Sequence, residues 1–334
     1  MAEQPGAANE DVSRASEPTK IAKTDMMESF NAKKEGKPVL KADFLPTTMI
    51  KMYDIQVQED QIRLEIRDVD DKVYKLLYKK ENDGCRLIGG NGRNELFIEN
   101  CKYYETAGVD IGNLFQQSER TFSCFKLDTD FIPTGIQVAE KRAFLDIIGL
   151  TLKSSRNNMV FMIIHLKGIR TEDDLMPVVP YLQTFFYVEI SGVEGQYLEL
   201  NESIQHMKTF QLLKFRTVVS DATLIKLADV YRGKLVVTVD TIKPEIVAAA
   251  LNSYLSRPSI VCTEWRPEDR QIDKKVAEAV INLTTPISTK NYWPEEAAWN
   301  ILYRFSERTP YYFQVNIRTR QDRKGTVCVR FDTK

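Results

Sequence analysis

Five strand-like runs, each followed within a few residues by a helical pattern, recur along the second half of the chain. Their centres fall at Met162, Val188, Phe215, Val237 and Cys262, a step of about 25 residues, inside the ~20–29 range of repeating strand–helix units. A unit that short cannot bury its own apolar face, so several must stack side by side. Lys234–Leu255 displays the pattern best. Leu235, Val237 and Val239 alternate with Val236, Thr238 and Asp240, as in a β-strand. Pro244 suits the first turn of a helix, where its missing N–H is not needed, and Glu245 favours the positive helix start. Ile246, Ala249, Ala250 and Leu251 then leave one apolar face, and Pro258 lies just past the end.

The other units follow the same scheme. "MVFMIIHL" precedes "TEDDLMPVVPYL", where Thr171 is the expected N-cap and Pro177 and Pro180 keep the helix short or bent. "FFYVEIS" precedes "NESIQHMKTF", and "LLKFRTVV" precedes "SDATLIKLADVYR", capped by Ser220 or Asp221. "SIVCTEW" precedes "PEDRQIDKKVAEAVINL", and upstream "FSCFKLD" precedes "QVAEKRAFLDIIGLTLKS". The expected fold class is α/β, a leucine-rich-repeat-like curved parallel sheet with helices on one face. A doubly wound sheet is the alternative on spacing alone. Against it, the links "KGIR", "GVEGQY", "SDA" and "DTIK" offer no glycine-rich phosphate turn.

Around this repeat the chain divides into three expected parts. Residues 1–46 read as a disordered polar N-terminus, with a short helix near "DMMESF". Residues 47–118 read as a small antiparallel β segment with a trailing helix. Its strands are "YDIQV", "QIRLEIRDV" and "KVYKLLYKK", and "CRLIGGNGRNELFIEN" forms a hairpin. "GGNGR" (Gly89–Arg93) reads as a plain turn, because no helix follows to offer its N-terminus to an anion. "DVDD" (Asp68–Asp71) reads as a solvated turn, lacking the glycine and distal Glu of a calcium loop. Residues 119–334 form the repeat domain. At its end "WPEEAAWNILYRF" reads as a helix opened by Pro294, and "YYFQVNIRTRQDRKGTVCVRF" as a hairpin closing the edge of the last repeat.

A search for chemistry finds no catalytic set. Of the two histidines, His165 sits in an apolar strand without the companions of a triad or metal site, and His206 reads as a surface or boundary residue. Asp173/Asp174 and Glu295/Glu296 fall in first helical turns, where the dipole alone favours negative charge. The five cysteines show no C-x-x-C spacing, and Cys124, Cys262 and Cys328 are expected to be buried thiols. No metal and no cofactor is expected. The net charge of −1 gives no long-range pull towards nucleic acid or anionic lipid, and no run approaches a membrane span. With no apolar leader, the expected location is intracellular, in cytoplasm or nucleus.

A repeating sheet without a catalytic set suits recognition. If Phe186, Val188 and Ile190 point inward, Tyr187 and Glu189 face out, as do Lys214 and Arg216 on the next strand and Thr238 on the one after. These five are the candidate protein-binding residues. The stretch "AFLDIIGLTLKSSRNNMVFMIIHLKGIRTEDDLMPVVPYLQTFFYVEISG", continued by "LLKFRTVVSDATLIKLADVYRGKLVVTVDTIKPEIVAAALNSYLSRPSI", resembles the FTH domain of nematode F-box A proteins, a domain of largely unknown function. Upstream, "DIQVQEDQIRLEIRDVDDKVYKLLYKKENDGCRLI" is similar to the β-rich segment of those proteins. The resemblance spans most of residues 50–334 and implies a non-catalytic substrate-recognition or adaptor protein. In that family the F-box docks on the Skp-type linker of a cullin ubiquitin ligase. Here only "DFLPTTMIKM" is similar to an F-box opening, so the chain departs from the family at the segment that would make that contact. The alternative function is RNA association through the basic Arg318, Arg320, Arg323 and Lys324 of the C-terminal hairpin.

Overall fold

The computed structural model describes residues 50–89, 94–117, 121–154, 160–182, 186–256, 262–273, 275–291, 298–304, 312–318 and 328–333. These fall within one compact unit, Leu40–Lys334. The expectations for residues 1–46, for most of "GGNGR", for Pro294, Glu295 and Glu296 and for the "QDRKG" turn lie outside the described residues.

The chain first makes an antiparallel meander of β1 (Ile50–Gln58), β2 (Gln61–Asp68), β3 (Val73–Glu81), β4 (Gly84–Gly89) and β5 (Asn94–Glu99). Asp68 shapes the β2–β3 turn. Its Oδ1 accepts from the N–H groups of Asp70 and Lys72 at 3.0 and 2.9 Å. After α1 (Tyr103–Gln117), β6 (Thr121–Asp128) pairs in parallel with the free side of β1. Thus the meander and the repeats share one sheet.

From β6 the parallel run grows one strand at a time: β7 (Val160–Ile169), β8 (Tyr187–Gly192), β10 (Leu212–Val219), β11 (Lys234–Val239) and β12 (Cys262–Pro267). The two-residue β9 (Tyr197–Leu198) adds to β10. The links carry α2 (Ile136–Ser154), α3 (Glu172–Leu175) with a 3-10 turn at Val179–Tyr181, α4 (Ser203–Met207), α5 (Asp221–Val230) and α6 (Pro244–Ser256). α7 (Lys275–Leu283) follows β12. α1 packs on α2, α2 on the 3-10 turn and that turn on α4, and α4 through α7 each pack on the next, so these elements form one continuous row, while α3 packs on β7. Strand order along the parallel run follows chain order without reversal. The crevice at which doubly wound sheets bind nucleotides therefore does not arise.

Period-two burial divides the two faces of the sheet. Tyr53, Ile55, Phe125, Leu127, Ile164, Leu166, Val188, Ile190, Leu213, Phe215, Leu235, Val237 and Trp265 are all 2% exposed or less, and they face the helical row. Tyr53, Phe115 of α1 and Phe125 stack edge to face, with centroids 4.8 and 6.2 Å apart. Full burial of a side chain of this size contributes roughly 1.5–3 kcal/mol. Close approach at one point requires glycine. A Cβ on Gly149 of α2 would lie 1.8 Å from the carbonyl oxygen of Pro177, so α2 rests directly on the proline-broken segment.

Several local expectations hold. Ser220 caps α5, accepting from Thr223 N–H at 3.2 Å, and Pro244 is the first residue of α6. Strands β15 (Tyr312–Arg318) and β16 (Cys328–Thr333) pair as the C-terminal hairpin, and β16 lies antiparallel against β12, closing the parallel run.

Others are corrected. Ala298–Arg304, expected inside a helix, is strand β14, paired with β15 and with β13 (Ser288–Asn291). Trp299, Ile301 and Tyr303 alternate as its buried face, so sheet pairing overrides the helix-start signal read upstream. Cys124, Cys262 and Cys328 are only partly buried. Their neighbours Phe125, Thr263 and Val329 take the core-facing positions instead, and Cys85 is the buried thiol. Phe186, expected inward, precedes β8 and is 60% exposed. Asp174 does more than favour a helix dipole: it accepts from Arg170 N–H at 2.9 Å and pairs with buried Lys141 at 2.9 Å.

Candidate functional site

The face of the sheet opposite the helices carries the candidate site. On the parallel run its side chains fall into rows set by strand register. One row reads Asp54, Lys126, His165, Glu189 and Lys214 on β1, β6, β7, β8 and β10, each the direct partner of the next. Beyond Val236 it continues through Glu264 and Arg330. Opposite charges meet along it: Lys126 lies 3.7 Å from Asp54 and Lys214 lies 3.2 Å from Glu189. A second row, one pleat away, reads Met52, Cys124, Ile163, Tyr187 and Leu212. Ile163 is 37% exposed and the rest are partly exposed. An apolar strip therefore runs beside a charged ladder.

Glu189 is the centre of this face. Its buried carboxylate receives Arg216 Nε at 2.6 Å on Oε1, while Lys214 and the Tyr187 hydroxyl reach Oε2. His165 Nδ1 stands 3.6 Å from Oε1, its ring 5.9 Å from that of Tyr187. Burial pushes the Glu189 carboxyl up, but the hydrogen bonds from Tyr187, Arg216 and Lys214 outweigh burial and hold it at about 2. Burial and the bond to Glu189 push the Tyr187 phenol up to about 12. Burial also lowers His165, opposed by Glu189 and aided by Lys126 and Lys167. Near neutral pH, Glu189 is therefore an anion, Tyr187 a phenol and His165 neutral. An efficient general acid or base titrates near the working pH, and neither Glu189 nor Tyr187 does. What the cluster presents to solvent is the aromatic ring of Tyr187 and the guanidinium of Arg216, 58% exposed. Two cations against one carboxylate leave it locally positive.

Of the five residues expected from sequence, Tyr187, Glu189, Lys214 and Arg216 come together. Thr238 does not join them, because its hydroxyl donates to the Phe215 carbonyl at 3.0 Å. Sequence reasoning missed Asp54, Lys126, Ile163 and Leu212, and treated His165 as an isolated core or rim residue. Each has the outward parity of its strand, but only the register between strands makes them neighbours.

A cleft of about 270 Å³ opens where β8 and β10 end, lined by Gly192, Gly195, Tyr197, Arg216, Thr217 and Glu268. It adjoins the Glu189 cluster through Arg216. Among the described residues there is no group of His, Cys, Asp or Glu able to hold a metal ion. Among the same residues no helix is long and apolar enough to cross a membrane. Of the basic hairpin cluster, Arg318 is described, half-buried at the end of β15, and Arg320, Arg323 and Lys324 lie outside the described residues. No family model, no curated protein and no solved structure matches the chain.

Proposed function

We propose that this chain is a non-catalytic protein-interaction protein, a substrate-recognition or adaptor subunit that binds its partner on the open face of the parallel sheet. One observation carries the reading: the apolar strip Met52–Cys124–Ile163–Tyr187–Leu212 lies directly beside the Glu189 ion cluster. Interfaces combine an apolar, aromatic-rich centre with polar groups that set orientation, and Tyr and Arg supply much of the binding energy. The locally positive cluster favours a partner whose contacting segment pairs apolar residues with a carboxylate. Helices are ~10 Å wide and strands ~4.8 Å apart, so packing a helical row on one face favours curvature towards the strands, as in leucine-rich-repeat solenoids. Such curvature would make the strip the floor of a concave surface. The likeness to the FTH region of F-box A proteins supports the same role, in cytoplasm or nucleus.

Two measurements test this. Partners isolated with the full chain are purified, and their Kd is compared between the native chain and the exposed-face variants Ile163→Asp and Arg216→Ala. Loss of about tenfold or more in affinity is the expected result for central interface positions, with the melting temperature unchanged for Ile163→Asp and lowered for Arg216→Ala, which also gives up its bond to Glu189. Equal binding by both variants, or a turnover activity that they abolish, would overturn the reading. Binding to the Skp-type linker is measured separately for the full chain and for a chain beginning at Thr47. Binding lost on truncation assigns an F-box-like element to the N-terminal residues, and absence in both leaves a stand-alone recognition protein. Salt-dependent RNA binding weakened by Arg318→Ala, Arg320→Ala and Arg323→Ala would favour the RNA alternative instead.

A further inference from the structure

At the end of the sheet remote from the repeats, β5 pairs with β4 and, among the described residues, with nothing else. Alternate backbone N–H and C=O groups of an edge strand point outward without a ladder partner. α1 packs on β2, β3 and β4, so the helical cover stops one strand short of β5. Both faces of β5 are consequently open: Leu96 is 42% and Phe97 47% exposed. The opposite sheet edge differs. There β13 is the short polar run Ser288–Asn291, carrying Lys290, a sequence that discourages strand addition.

The surroundings of β5 define what would add to it. A cleft of about 540 Å³ beside the strand is lined by Glu81, Asp83, Arg86, Phe97 and Glu99 with two asparagines. Arg86 is engaged by Glu81 at 3.0 Å and by Glu95 at 3.3 Å. Asp83 and Glu99 have no cation among the described residues. Two unmatched carboxylates next to an exposed aromatic ring suit a Lys or Arg side chain, paired at its charged end and packed over Phe97 along its length. A second copy of the chain fits less well. In a two-fold antiparallel pairing centred on Phe97, Glu95 of one copy would face Glu99 of the other, and like charges directly opposite are destabilising.

The geometry points to the free edge of β5 as a second binding site, one that takes an extended, basic peptide segment by strand addition. The added strand would cover Leu96 and Phe97 with alternate apolar side chains and place a Lys or Arg in the acidic cleft. Backbone pairing supplies affinity and the cleft supplies the preference for positive charge. This site is independent of the open-face strip and stands or falls separately from it.

A random short-peptide library selected on the full chain tests the assignment. Enriched peptides are expected to carry Lys or Arg beside β-branched residues. Their binding should weaken about fivefold at low salt when Asp83→Lys and Glu99→Lys are combined, as expected for two exposed ion pairs. N-methylation of one alternating set of peptide amides should abolish binding, while the other set is tolerated. Hydrogen exchange should slow at the β5 amides when peptide is bound. Thermal unfolding of the charge-reversed variant confirms that it folds. No enrichment, enrichment without basic residues, equal effects of both methylation sets, or slowed exchange away from β5 would each overturn the proposal. A dimer that Phe97→Asp dissociates would also overturn it, by giving the edge to a second copy.

Discussion

Replacing Glu189 by Gln removes the anion on which Tyr187, Lys214 and Arg216 converge, and its cost follows from the site. The folded chain holds this carboxyl at about 2 against an ordinary 4.5. Each tenfold change in proton affinity corresponds to ~1.4 kcal/mol, so the depression is worth roughly 3 kcal/mol. Arg216 is 58% exposed, so water screens its share and the expected loss at neutral pH is nearer ~2 kcal/mol. A carboxyl depressed by folding stabilises fully above its unfolded pKa, and that contribution fades as pH falls through the folded value. The difference between native chain and Glu189→Gln should therefore be constant from about pH 7 to pH 5. It should shrink below ~4.5 and vanish near 2. Urea unfolding followed by tryptophan fluorescence at pH 7, 5 and 3 measures it, since Trp265 and Trp299 are buried. A difference under ~0.5 kcal/mol at pH 7 is within the range of ordinary surface substitutions. That result, or a difference equal at pH 7 and pH 3, would refute the account of Glu189 as the hub of the face.

Three further outcomes are expected. Asp110 in α1 is buried beneath the meander and takes a bond from the Tyr78 hydroxyl at 2.9 Å. Burial raises it to about 7, opposed by that bond. Folding thus favours its protonated form, and Asp110→Asn should stabilise the chain by roughly 1–3 kcal/mol at pH 8, with the gain closing below about pH 4; a loss of stability at pH 8 would contradict this. Gly149→Ala should lower stability by roughly 2–4 kcal/mol through the clash with the Pro177 carbonyl, reversing the ~1 kcal/mol that alanine ordinarily gains over glycine in a helix. Unchanged denaturant midpoints would show that α2 does not rest on Pro177. Ser220→Ala should cost about 1 kcal/mol by freeing the Thr223 N–H at the start of α5, measured in the same way.

Much of the fold was legible in the sequence because its signals are local. Apolar runs mark β6, β7, β8, β10, β11 and β12, Pro244 and Ser220 mark helix starts, and the spacing of the strands, with no glycine-rich turn in the links, implies units added one after another. The proline-broken segment after β7 was equally readable, since a ring without an N–H cannot sit inside a longer helix. Ala298–Arg304 was misread because Pro294 and the two glutamates carry a genuine helix-start signal. The alternation of Trp299, Ile301 and Tyr303 prevails there only because β15 supplies a ladder partner. The cysteines were misplaced by one pleat for a related reason: an apolar run names a strand, but which parity faces the core depends on what the neighbouring element buries.

The composition of the candidate site lay in the sequence, and its assembly did not. Tyr187, Glu189, Lys214 and Arg216 could be assigned to outward positions from period-two alternation on two strands. That Lys126 and His165 belong to the same row, and that Ile163 and Leu212 flank Tyr187, depends on the register of β6, β7, β8 and β10, which is set by packing against the helical row. The state of Glu189 belongs to tertiary structure as well, because three donors from two strands must converge on one carboxylate before burial is outweighed. The exposed edge at β5 follows from where the helical cover ends. Along the parallel run the sequence by itself determined which segments form strands and helices and in what order they stack, since propensity and period act over a few residues. Tertiary structure decided which outward side chains meet, which carboxylates find partners and which edge stays open, since these depend on contacts between segments far apart in the chain.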